Sequence, residues 1–93
     1  MEYWYEQLES CGKSAIVEEL RALLPSAFWT RVSELHDKAM ESRRAIQARH
    51  NYENPMTSTQ ASAFNRHARY IEILSGILSE RSVCKTLGYL RAR

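Results

Sequence analysis

The chain is predicted to be all-α, a small helical bundle built on a long antiparallel helical hairpin with short N-terminal helices. Three observations carry that prediction. Apolar residues recur at steps of three and four along most of the sequence. Helix breakers and caps fall at helix-length intervals, at Gly12, Pro25 and Asn54-Pro55, each followed closely by Ser or Thr. No segment alternates apolar and polar residues with β-branched enrichment, and no Asn-Gly or Asp-Gly turn occurs.

A first helix is expected over Glu2–Ser10, where Trp4, Leu8 and Cys11 recur at helical spacing and Gly12 ends the run. Ser14 can cap a second, Ala15–Leu24, with Ile16, Val17, Leu20, Leu23 and Leu24 apolar. Glu18 and Glu19 lie near its start, where the helix dipole favours negative charge. Pro25 stops that helix and opens a third, from about Ser26 to Tyr52. Its Phe28, Val32, Leu35, Ala39 and Ile46 make one narrow seam, interrupted at Ser42. Asn51 to Pro55 is the clearest loop, because the residue before proline is pushed out of the helical region. Thr57-Ser58-Thr59-Gln60 fits a capping box for the fourth helix. There Phe64, Ile71 and Leu78 form a line that Tyr70, Leu74 and Ile77 widen to an arc of roughly 140° at ~100° per residue, with Gly76 on the far side. Val83, Leu87 and Leu90 fall on another face, so a break near Ser79–Ser82 and a short fifth helix to Gly88 or Leu90 are expected.

Ninety-three residues, 44% of them hydrophobic, suit one helical domain over 1–93 with a modest core. A mean hydropathy of −0.49 and the lack of a long uncharged apolar run argue against a membrane span. The first residues show neither a basic n-region nor an apolar h-region, and Cys11 and Cys84 read as free thiols, so a cytoplasmic setting is expected. The net charge of +2 is uneven: −3 over residues 1–25, +1 over 26–56 and +4 over 57–93.

Several constellations invite chemistry. Cys11-Gly12-Lys13-Ser14 looks like the tail of a phosphate-binding loop, but Gln7 stands where that loop needs its first glycine, and a helix precedes it instead of a strand. His36, His50, His67 and the two cysteines lack metal-ligand spacing, so no metal or cofactor is expected. Folding the hairpin at Asn54 brings Ser42 level with Arg66 and His67. A Ser–His pair without an oxyanion loop reads as a register-fixing hydrogen bond, not a nucleophile and base. Residues 84–93 resemble the first half of a helix-turn-helix without the recognition helix.

Two surfaces stand out for binding. Arg43, Arg44, Arg49, Arg66 and Arg69 gather near the hairpin tip, where they could meet phosphates or an acidic protein, with Tyr52 available to stack on a base. Tyr3, Trp4 and Tyr5 cannot all face one core, and Trp29 lies about 100° from Phe28, so an aromatic hot spot is expected at the opposite end. The sequence therefore points to a non-enzymatic protein that docks on a larger protein partner as an inhibitor, adaptor or regulator. The aromatic end is expected to make the essential contact while the arginines steer approach. Small accessory proteins of bacteriophages and other mobile elements are built at this scale. The alternative is a nucleic-acid-binding regulator using the arginines, and either role is compatible with a symmetric homodimer.

Overall fold

The computed structural model describes residues 2–91, with side chains described for residues 2–80. Among these residues there are four helices and no strand: α1 (Glu2–Ser10), α2 (Ser14–Arg21), α3 (Pro25–Arg49) and α4 (Ser58–Arg91).

Local chemistry sets each boundary. Gly12 takes φ +80, a left-handed value that closes α1. The Lys13 N–H then reaches the Leu8 carbonyl at 2.9 Å and the Gly12 N–H reaches Glu9 at 3.1 Å, satisfying two orphan carbonyls in a Schellman arrangement. Lys13 holds the N-cap position of α2 without a side-chain hydrogen bond, so Ser14 is the first helical residue and not the cap. That helix ends at Arg21, short of the expected Leu24. Leu24 precedes Pro25 and is driven to an extended conformation, φ −68 and ψ 154, with its side chain 75% exposed.

Helix α3 begins on Pro25 itself and stops at Arg49, three residues before the expected end. Asn51 and Asn54 explain the stop. The Asn51 side-chain oxygen accepts from the N–H groups of Glu53 and Asn54, both at 2.9 Å, while the Asn54 amide donates to the Arg49 carbonyl at 3.0 Å. The capping box of α4 forms reciprocally: Gln60 N–H donates to Thr57 Oγ1 at 3.2 Å, and Thr57 N–H donates to Gln60 Oε1 at 2.9 Å.

The expected break near Ser79–Ser82 is absent, and α4 runs unbroken to Arg91. No proline follows Pro55, and a shift in apolar phase needs no backbone break when different neighbours cover different faces of one helix. The side chains of the expected fifth helix, and Cys84 with them, lie outside the described residues, as do residues 92 and 93.

Two partners do flank α4. Helix α3 packs antiparallel along it, and α1 packs across it while touching α2. Phe28, Val32, Leu35 and Ala39 of α3 meet Tyr70, Ile71, Ile73, Leu74 and Ile77 of α4, with Leu8, Val17 and Leu20 completing the core. The buried arc of α4 spans about 160° at ~100° per residue, and it reaches Ile73. Gly76 lies beyond Ile73, beneath the Trp4 indole, and not on an open side. A Cβ there would fall 2.7 Å from Trp4 Cζ3 and nearer still to Cη2.

At 1.5 Å per residue, α4 is about 51 Å long and α3 about 37 Å. The molecule measures 57 × 26 × 19 Å, and its radius of gyration is 16.0 Å. A compact chain of this length would give roughly 12 Å, so the shape is that of a rod. No described helix is long and apolar enough to cross a membrane.

Candidate binding surface

The aromatic set at the N-terminal end is largely consumed by the fold. Tyr5 is buried, with the Arg21 guanidinium 4.5 Å from its ring centroid. Arg21 is held there by a bidentate ion pair with Glu2 at 2.8 and 2.9 Å, which keeps the Glu2 carboxyl below its ordinary pKa. Trp4 is half-buried, seated on Gly76, and donates its indole N–H to Glu80. Trp29 is half-buried and stands edge-on to Phe28, with ring centroids 4.9 Å apart. Of the four, only Tyr3 is exposed, at 60%, edge-on to Trp4.

The five arginines divide instead of forming one patch. Arg69 turns toward α1, donating to Gln7 at 2.6 Å and pairing loosely with Glu72 at 3.5 Å. Arg43 lies over the Phe64 ring, 5.9 Å from its centroid. Arg44 points to the outer side of α3 and lines a pocket shared with Glu34, Asp37 and Glu41. Among the described residues, the exposed Arg44, Arg49 and Arg66 have no ion pair and no side-chain hydrogen bond. Tyr52 at the tip is fully exposed.

Two shallow pockets, of about 260 and 330 Å³, adjoin along α4 because Ala63 and His67 line both. The first opens between the α1–α2 turn and α4 and is edged by Cys11, Gly12, Lys13 and Arg66. The second opens between α3 and α4 and is edged by Ile46, His50, Gln60 and Phe64. No Asp or Glu lines either one among the described residues. The Lys13 ammonium sits 4.7 Å from the Tyr70 ring centroid, which holds it at the rim of the first. In the second, His50 Nδ1 is buried without a partner.

Ser42 does not meet His67. Ser42 is exposed, and His67 Nε2 bonds the Ala39 carbonyl at 2.9 Å, which makes Nε2 the protonated nitrogen. A second cross-hairpin bond joins His36 Nε2 to Ser75 Oγ at 3.0 Å. These two contacts fix the register of α3 on α4. Cys11 is a buried free thiol whose pKa is pushed up by burial, against the opposing pull of Lys13, Arg69 and Arg66. Among the described residues, no three His, Cys, Asp or Glu side chains converge as a metal site.

Sequence reasoning singled out Arg66 but missed Lys13 beside it at the first pocket. Lys13 was visible only as part of a turn. Its proximity to Arg66 depends on α1 folding back across α4, which no local pattern encodes. Comparison with known proteins finds no matching family, no matching curated protein and no matching solved structure.

Proposed function

We propose that the chain performs no chemistry and acts by docking onto a larger protein, as an inhibitor, adaptor or regulator. One observation carries this reading: three exposed arginines near the hairpin tip and its flank have no ion pair and no side-chain hydrogen bond among the described residues. Exposed ion pairs contribute little to stability, so cations left unpaired cost the fold nothing and stay available to a partner. The reading favours a contact at the arginine end, supported by Tyr3 being the one exposed member of the aromatic set. A cytoplasmic setting, an origin in a phage or other mobile element, and a homodimer belong to this proposal; sedimentation across a concentration series tests the dimer.

A second reading, nucleic-acid binding, draws on the fully exposed Tyr52 close to the unpaired Arg49. Affinity capture from host lysate, with and without nuclease and at rising salt, separates the two. Protein docking predicts a nuclease-resistant partner. Nucleic-acid binding predicts loss on nuclease treatment and a fall of about a thousandfold or more between roughly 50 and 200 mM salt. Loss of every captured species on nuclease treatment would overturn the docking proposal.

A further inference from the structure

The two adjoining pockets differ in character along their length. At the α1–α2 turn the rim carries Lys13 and Arg66, both cationic, and among the described residues no carboxylate answers them. Toward the tip the lining turns apolar through Ile46, Phe64 and Ala63. Arg43, stacked on Phe64, adds a further positive charge beside that apolar wall. By contrast, the pocket on the outer side of α3 mixes Lys38 and Arg44 with Glu34, Asp37 and Glu41, so its lining carries both signs of charge. The shared members Ala63 and His67 set the first two pockets side by side on α4, so that one segment can span both as a groove. His67 is locked by its bond to the Ala39 carbonyl, which fixes the middle of the groove before any ligand arrives.

We infer that this groove receives an acidic segment of the protein partner, with an apolar side chain against Ile46 and Phe64 and a carboxylate at Lys13 and Arg66. Charge complementarity chooses the occupant: an unanswered cationic rim next to an apolar wall fits a segment that carries both features. A nucleic-acid strand would find only a single half-buried ring, Phe64, for its bases. The inference rests on the docking proposal and narrows it to one groove and one chemistry.

The test uses the full chain and three fluorescent probes: a short peptide with Leu and Phe set among glutamates, the same peptide with lysines for glutamates, and oligothymidylate of equal length. The glutamate peptide is expected to bind saturably and to shift the backbone amide resonances of Lys13, Ile46 and Arg66, while the lysine peptide does not bind. A Lys13→Glu/Arg66→Glu variant is expected to weaken the glutamate peptide roughly tenfold or more, and Lys38→Glu on the outer side of α3 by less than about twofold. Shift mapping on the unaltered chain keeps the result independent of how the variants fold. Absence of saturable binding, equal weakening by Lys38→Glu, or tighter binding of oligothymidylate at the same resonances each overturns the groove assignment. A lysate partner retained equally by the Lys13→Glu/Arg66→Glu variant leaves the docking proposal standing and removes the groove. An empty lysate capture with groove-localised peptide binding does the reverse.

Discussion

Gly76 shows how one residue can be read oppositely by helix propensity and by packing. A glycine inside a helix costs about 1 kcal/mol relative to alanine, so Gly76→Ala would ordinarily stabilise. Here the missing Cβ makes room for the rigid Trp4 ring, which an alanine would strike. Gly76→Ala is therefore expected to destabilise the protein. In a Trp4→Ala background the same change should stabilise it by up to about 1 kcal/mol. Urea unfolding of the four proteins in that cycle reads the sign, and stabilisation in both backgrounds would mean that the indole does not sit there. Periodicity placed Gly76 outside the core arc but could not say that a side chain from the far end of the chain covers it. A second residue-scale consequence concerns pH. Burial pushes the Cys11 thiol and the Tyr5 and Tyr70 phenols above their ordinary values of 9.0 and 10.0, because the folded state disfavours their charged forms. The folded pKa values are raised, so the stability linked to these groups is fully present below the unfolded values and is lost as pH rises through the folded ones. Melting temperature should hold from neutrality to about pH 9 and fall above it, and Tyr70→Phe should make the fall shallower.

At the scale of elements, the most legible features were those whose chemistry is local. The capping box at Thr57 and Gln60 and the proline at the head of α3 formed as their residues dictate. Thr57→Ala is expected to cost about 0.5–2 kcal/mol by removing the acceptor for the Gln60 N–H. A circular-dichroism melt unchanged by that substitution would show that the cap contributes nothing. The hairpin seam was equally legible, since Phe28, Val32, Leu35 and Ala39 are all buried at the expected spacing. Leu35→Ala and Ile71→Ala should each cost roughly 2–5 kcal/mol in chemical denaturation, because both side chains are buried between α3 and α4. What the pattern misjudged was α4 beyond Ser79. A change in apolar phase reads as a break, yet it costs the helix no backbone hydrogen bond, and no proline falls there to break one. Helix α2 was misjudged for the opposite reason, because an apolar Leu24 extended the stripe past the point where Pro25 forbids helix.

At the scale of the whole molecule, the fold was readable and the binding surface only partly so. The hairpin follows from two stripes and one loop. The surface depends on how α1 and the turn at Gly12 fold onto α4, which brings Lys13 beside Arg66 and draws Arg69 away toward Gln7. Those placements also decide how binding should respond to mutation. Trp4→Ala is expected to weaken a partner only through the folded fraction, whereas Arg49→Ala/Arg66→Ala should weaken it directly while leaving the melting temperature within a degree or two. If Trp4→Ala abolishes binding in a protein that remains folded, the contact lies at the aromatic end. The attachment of α1 has one more consequence, for the order in which the chain assembles. Its ties to α4, Trp4 to Glu80 and Gln7 to Arg69, join residues 76 and 62 positions apart, while the hairpin closes over a short loop. Loop-closure entropy makes such distant contacts slow to form and the first to be given up. Amide exchange in α1 should thus proceed through an opening that leaves α3 and α4 protected. That opening bares the strip of α4 around Gly76 that the Trp4 ring covers, so the species prone to aggregate during heating or synthesis is a nearly native hairpin with its first helix undocked.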